Sequence, residues 1–563
     1  MSANTTVTFT SVDIGLGART LVAGLDLVLA PGDVTALVGP NGSGKTSLMR
    51  TVVGELPIES GSIRLDPADA TVGWLPQTTP DPAESLLAYA RRRTGVTAAE
   101  SALHHASEEL ATERAGAADR YAVALERWLG RGAADLEDRL RQAAGKVGLE
   151  VDPQRPLGTL SGGEMARAGL VSILLSRYDA LLLDEPTNNL DSRGLDLMAD
   201  FVTAHRGPVL VASHDREFLD RVATSVVELD LVQRRVGHYS GNYSDYVAGR
   251  ERDRRHARTA FEEYAEARDH LVGRARQRAE WASRGRRNVA GGDEPDKHVR
   301  EKHRARADRQ AGKAGRLRRA ADRLEVVDQP RKEWQLRYRL EAGPPSAEVV
   351  WTLDRVEVRR GAFRLGPIDL TVARGERLAV TGDNGSGKST LLSAMLGELP
   401  LAAGRVTLGS RTRVGVIDQR RALTDSETSV VDLVRAELGG PAVGAAVGSE
   451  MGADVRRGAG PDAGEVRTLL AKFGLGARQI DRPARSLSMG ERTRALMAIF
   501  QARQVNVLVL DEPTNHLDVP AIEQLEAALA DYRGTLVLVS HDRTFVGRIG
   551  VDRVLDLGSS GVG

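Results

Sequence analysis

Two stretches of this chain have the residue types and spacing to grip phosphate. Gly39–Thr46 reads "GPNGSGKT" and Gly382–Ser389 reads "GDNGSGKS". In Gly-x-x-x-x-Gly-Lys-[Ser/Thr] the glycines let successive backbone N–H groups wrap phosphates, the lysine bridges the outer ones and the hydroxyl ligates Mg²⁺. These roles fall to Gly39, Asn41, Gly42, Gly44, Lys45 and Thr46, and to Gly382, Asn384, Gly385, Gly387, Lys388 and Ser389. An apolar run ends in Asp184 and Glu185, and a second in Asp511 and Glu512, each followed by Pro-Thr-Asn-x-Leu-Asp. Paired carboxylates at a strand end suit phosphoryl transfer: Asp184 and Asp511 would hold Mg²⁺ through water, and Glu185 and Glu512 would polarise the attacking water. His214 and His541, each just after an apolar strand pattern, would hydrogen-bond the terminal phosphate.

The elements that must position these groups come in two sets. "VTALVG" and "RLAVTG" read as short buried strands entering the loops, and "SLMRTVVGEL" and "TLLSAMLGEL" as helices leaving them, so that a helix N-terminus faces the anion. The loop lysines are 343 residues apart. From the "LSGGE" (160–164) and "LSMGE" (487–491) pair through Asp184/Asp511 to His214/His541 the offset is a constant 327. The copies differ between the glutamine of "WLPQ" (Gln77) or "VIDQ" (Gln419) and the serine that follows, 84 residues in the first and 69 in the second. The first interval predicts an added helical element, about 85–155; the second holds the glycine- and alanine-rich run 439–460, which reads as a loop.

Length and composition bound the rest. A chain of 563 residues with 41% apolar residues can fill several domain cores. With 0 cysteines it has no disulfide, iron–sulfur or thiolate zinc chemistry. No apolar run reaches the length of a membrane span and the first residues do not read as a signal peptide, which predicts a cytoplasmic protein. Lys+Arg and Asp+Glu are both 77, yet residues 250–323 hold 23 basic and 13 acidic residues, a net of +10. That segment is rich in Ala, Arg and Glu with sparse apolar spacing, and Gly, Gly and Pro interrupt it within 285–297. It predicts a basic helical hairpin with its tip there. The division is therefore 1–244, 245–335 and 336–563.

Loop, glutamine, Leu-Ser-Gly-Gly, Asp-Glu and His in this order resemble the nucleotide-binding domain of the ABC ATPases. Two such domains, no membrane span, a charged linker and the boundary string "YSGNYSDY" (239–246) resemble the ABC-F family. The resemblance implies an α/β fold: two P-loop ABC ATPase domains in tandem joined by a long α-helical hairpin linker. It implies ATP and Mg²⁺ as cofactors, with Gln77 and Gln419 among the nucleotide and metal ligands. Each ATP would lie between the loop of one domain and the signature of the other. The first site would borrow Ser488 and Gly490, the second Ser161, Gly162 and Gly163, so the chain would pair with itself and work as a monomer. Met489 stands where the family has a first signature glycine, and Leu16 and Arg360 where it has an adenine-stacking aromatic. These two positions predict weak discrimination between ATP and GTP.

ABC-F proteins resemble translation factors whose linker reaches towards the P-site tRNA and the peptidyl-transferase centre of the ribosome. The tip candidates for RNA contact are Arg284, Arg286, Arg287, Asn288, Lys297 and His298, with Trp281 either a stacking surface or packed across the hairpin. Within ABC-F the linker sequence looks most like actinomycete antibiotic-resistance members that protect the ribosome. A housekeeping factor acting on stalled ribosomes is the neighbouring reading. The ATPase subunit of a drug exporter with a separate membrane partner, and a DNA-repair or chromosome ATPase, are readings of other classes.

Overall fold

The computed structural model describes residues 5–17, 19–75, 81–160, 162–188, 190–230, 235–291, 297–324, 339–361, 363–383, 385–418, 427–439, 461–515 and 517–558. The chain divides into two compact units, Met1–Tyr243 with Leu336–Gly563, and Ser244–Gln335.

The larger unit holds the repeat. In its first copy the strands Val72–Leu75, Ala180–Asp184, Val209–Ala212, Val34–Val38 and Ser225–Asp230 lie side by side in that order, all parallel, with Arg235–Ser240 antiparallel at the edge. Val34–Val38, Ala180–Asp184 and Val209–Ala212 are buried at every position. That is why they read as unbroken apolar runs: a parallel sheet is covered on both faces. A second, antiparallel sheet of Arg19–Leu29, Thr6–Leu16 and Ser60–Asp66 closes one core, in which Phe9, Leu25, Leu48 and Met49 are sealed from water.

The second copy repeats the plan. Val414–Ile417, Val507–Asp511, Thr535–Val539, Arg377–Thr381 and Arg553–Asp556 form a parallel sheet, beside an antiparallel one of Phe363–Ala373, Val349–Arg360 and Ala403–Leu408.

Register places the chemistry. Leu37 and Asp184 both pair with Ala212, so the end of the loop-bearing strand, the carboxylate strand and the histidine strand stand abreast. Val380, Asp511 and Val539 do the same in the second copy. Parallel strands lie about 4.8 Å apart, so three adjacent ends gather their side chains within roughly 10 Å.

Among the described residues, the longer first interval holds Leu86–Arg93 and Leu136–Lys146 and, between them, two further helices, Val96–Ala111 and Ala117–Gly130, packed on each other. In the second copy the shorter interval holds Val430–Gly439 and Ala463–Lys472. The expected loop beyond Gly439, residues 440–460, lies outside the described residues.

The smaller unit is built on a 49-residue helix, Tyr243–Gly291, and a 26-residue helix, Lys297–Asp322. The first runs further into the expected tip than the sequence reading allowed, because Arg286 to Ala290 hold nothing that stops a helix; Gly291 is the first breaker. Ala275, Ala282, Ala314 and Ala321 are buried, spaced by seven on each helix as a two-helix seam requires. Arg278 Nη1 donates to Gln310 Oε1 at 3.1 Å, joining the two helices.

Candidate functional site

Both loops turn at glycines for a steric reason. Gly44 and Gly387 have φ near +100° and immediately precede the helices that begin at Lys45 and Lys388. A Cβ on Gly387 would meet the ring of Phe363 at 2.9 Å. Lys45 Nζ donates to Gly39 O at 2.8 Å, and Lys388 Nζ to Gly382 O at 2.7 Å and Asp383 O at 3.0 Å. Burial lowers the pKa of both lysines, against the carboxylates of Glu185, Asp518 and Asp184 around Lys45 and of Glu512, Asp511 and Asp191 around Lys388.

Thr46 Oγ1 donates to Asp184 Oδ2 at 2.7 Å, and Ser389 hydrogen-bonds Asp511. Burial raises both aspartates, and those hydroxyls and the loop lysines pull them back. A hydroxyl from the first turn of a helix and a carboxylate from a strand end make the hard oxygen pair that Mg²⁺ takes alongside substrate phosphates.

Glu185 and Glu512 follow at φ +52° and +47°, left-handed backbone that a residue with a side chain seldom adopts. Each backbone N–H is tied to the neighbouring strand, Glu185 N to Ala212 O at 2.8 Å and Glu512 N to Val539 O at 2.9 Å. This left-handed backbone recurs at the same point of both copies, as it also does at Ser11 (φ +45°) and Arg355 (φ +47°) in the strands Thr6–Leu16 and Val349–Arg360. Burial pushes both carboxyls up to about 8. His214 Nε2 stands 3.2 Å from Glu185 Oε1, and His541 Nε2 stands 3.4 Å from Glu512 Oε1. Burial takes His541 down to about 4. Lys45, Thr46, Asp184, Glu185 and His214 thus meet at one sheet end, and Lys388, Ser389, Asp511, Glu512 and His541 at the other.

Two residues that cross between the copies were not singled out in the sequence, though each closes a repeated Pro-Thr-Asn-x-Leu-Asp string. Asp518 Oδ2 accepts from the N–H of Asn41 at 3.0 Å, while its Oδ1 caps the helix Val519–Asp531 by accepting from Ala521 N at 3.0 Å. Asp191 of the first copy acts electrostatically on Lys388 and His541 of the second. Each loop therefore feels a carboxylate of the other copy.

On the signature side, Ser488 caps the helix Met489–Ala502. Its Oγ accepts from Glu491 N at 3.2 Å, and Glu491 Oε2 accepts from Ser488 N at 2.8 Å. Gly490 lies in the first turn, as Gly162 and Gly163 do in the helix Gly162–Leu174. Gln77, Gln419, Ser161 and Asn384 lie outside the described residues. In the rod Arg284, Arg287 and Trp281 are exposed, Trp281 by 52%. Arg286, Asn288, Lys297 and His298 belong to the helices, but their side chains are outside the described set.

The chain matches the ABC transporter family profile twice, at residues 22–188 and 365–515. It is 33% identical to the tylosin resistance ATP-binding protein TlrC of Streptomyces fradiae, over 93% of this chain and 92% of that protein. It is 30% identical to the energy-dependent translational throttle protein EttA of Mycobacterium tuberculosis, over 94% of this chain and 88% of that one. Among the described residues no helix is long and apolar enough to cross a membrane. The chain belongs to the ABC-F ATPases. The solved structure of the RNase-L Inhibitor shares the fold, with a TM-score of 0.55 at 16% identity, over 97% of this chain and 87% of that one.

As an ABC-F ATPase the chain binds and hydrolyses ATP, and its departures from the family can be placed. Met489 packs against the second-copy core and leaves the Ser488 cap intact. Arg360 is exposed and stands opposite Phe363 in the strand pairing, so the two share one face of the hairpin. Phe363 went unnoticed in the sequence because it lies three residues beyond the expected aromatic position. In the first copy Leu16 stands opposite Arg19.

Proposed function

We propose that this ATPase binds the ribosome with both ATP sites closed, extends its basic rod towards the P-site tRNA and the peptidyl-transferase centre, and protects the ribosome against an antibiotic. The observation that carries the reading is the rod: a separate helical unit, Ser244–Gln335, whose residues 250–323 carry a net charge of +10, placed in the sequence between the two nucleotide domains. A positively charged rod with exposed Arg284 and Arg287 suits RNA because phosphate contacts supply affinity without sequence readout. The resistance named for TlrC supports the protective role, and the translational throttle named for EttA supports action on translation.

In each cycle Lys45 and Lys388 would hold the outer phosphates. Thr46 with Asp184, and Ser389 with Asp511, fit Mg²⁺, which when bound neutralises charge building on the β- and γ-phosphate oxygens. Glu185 and Glu512 would orient the attacking water and take its proton, steadied by His214 and His541. Ser488 and Gly490, and Ser161 with Gly162 and Gly163, would close each site from the other domain, with Gln77 and Gln419 completing the ligands. The chain would act as a cytoplasmic monomer, its two domains serving each other.

The test is co-sedimentation of the Glu185→Gln, Glu512→Gln variant with ribosomes, with and without ATP, over a salt series. Pelleting that needs ATP and falls steeply with salt supports the reading, and protection of translation against a macrolide, lincosamide and pleuromutilin panel then separates resistance from a housekeeping role. Absence of pelleting at every salt concentration overturns it in favour of a membrane partner.

A further inference from the structure

The two copies also meet through a buried ion pair whose counterpart on the other side is exposed. Arg216, two residues after His214, opens the helix Arg216–Val222, which Asp215 caps by accepting from Phe218 N at 2.9 Å. Its guanidinium enters the second copy, where Nη1 donates to Glu526 Oε1 at 3.1 Å and Oε2 at 3.3 Å. Both side chains are only 6% exposed. Arg548, of the same copy as Glu526, donates to Oε2 at 2.8 Å.

The internal repeat supplies the comparison. A shift of 327 residues carries Arg216 to Arg543, Glu526 back to Ala199 and Arg548 back to Arg221. Arg543 meets Glu217 of the first copy at 3.6 Å with side chains 75% and 58% exposed. Ala199 is buried and has no charge to offer. Arg221 turns to Asp196 and Asp200 of its own copy, both at 2.6 Å. An exposed pair contributes little, whereas a buried arginine left without its carboxylate is strongly unfavourable. The local turns are otherwise alike: Asp215 N donates to Ser213 Oγ and Asp542 N to Ser540 Oγ, each at 3.1 Å. The anchorage of that turn to the opposite copy is therefore what differs.

We propose that Arg216 and Glu526 form a one-sided latch that fixes the His214 turn against the second copy, so that the site of Lys45, Glu185 and His214 depends on it and the site of Lys388, Glu512 and His541 does not. Both are positioning residues, two positions along the chain or more from any group that would touch ATP. The inference rests on the assignment of Glu185 and Glu512 made above.

The experiment measures steady-state ATP turnover of the full chain with one site silenced at a time, by Glu512→Gln or by Glu185→Gln. Each form is then combined with Glu526→Gln, with Arg216→Lys, or with Arg543→Met. Glu526→Gln lowers kcat about 10- to 100-fold when only the first site is active, the scale of a small misplacement of a reacting group. It changes kcat by less than about twofold when only the second is active, with KM little altered in both. Arg216→Lys restores part of the loss, and Arg543→Met produces no bias between the sites. Equal losses in the two backgrounds, or none in either, overturn the latch. Melting curves accompany every variant, and if Glu526→Gln does not fold, Arg216→Lys carries the same comparison. If Glu185→Gln and Glu512→Gln alone leave turnover intact, the fault lies with the assignment of the bases and not with the latch.

Discussion

Asp518 does two things with two oxygens, and substitutions can separate them. Oδ1 caps the helix Val519–Asp531 and Oδ2 accepts the N–H of Asn41 in the phosphate loop of the other copy. Losing an N-cap to alanine costs about 0.5–2 kcal/mol of domain stability. A hydrogen bond to a charged group contributes about 1.5–3 kcal/mol net, and this one is exposed, which places it at the lower bound. Serine keeps the cap but is too short and has no charge to serve Asn41 as well. Asp518→Ser therefore leaves melting unchanged while releasing trapped ATP about tenfold faster, since about 1.4 kcal/mol is a factor of ten. Asp518→Ala adds a fall in melting temperature of about 2–4 °C for each kcal/mol of lost cap. The assay follows escape of labelled ATP from the Glu185→Gln, Glu512→Gln background, with melting curves alongside. Release from Asp518→Ser as slow as from its parent, or a melting loss as large as that of Asp518→Ala, refutes the cross-copy role.

Three further outcomes are expected. Glu185→Gln with Glu512→Gln binds ATP as before while turnover falls about 10²–10⁴-fold, the range of a lost general base; unchanged turnover in a phosphate-release assay points to another base. Phe363→Ala weakens ATP and GTP binding at the second site by about 1–3 kcal/mol but leaves tripolyphosphate binding intact, measured calorimetrically with Lys45→Ala silencing the first site. An equal loss for tripolyphosphate would show that the ring only shapes the Gly387 turn. Arg286→Glu with Arg287→Glu keeps ATP affinity, weakens ribosome pelleting and lowers the salt slope by about 2, one unit for each phosphate contact.

Much of this architecture could be read from residues because the repeat checks itself. The offsets of 343 and 327 residues are those by which Leu37/Val380 and Asp184/Asp511 take equivalent places in their sheets. Unbroken apolar runs gave away the buried strands. What stayed hidden depends on three-dimensional pairing. The positive φ of Glu185 and Glu512 leaves no mark in composition. Asp518 and Asp191 sat inside a recognised string but serve the other copy, which spacing along one copy cannot show. Phe363 reaches its glycine only through a strand register, and Arg216 finds Glu526 across 310 residues of chain.

The alanine seam of the rod separates what holds it together from what it can touch. With Ala275, Ala282, Ala314 and Ala321 turned inward and Arg278 bonded to Gln310, the pairing of the helices asks little of their exposed positions. Their outward residues can then be exchanged in sequence drift without loosening the hairpin. The rod is thus a scaffold on which new surface chemistry can be tried at small structural cost, so that relatives sharing one engine could come to differ in what they reach and displace.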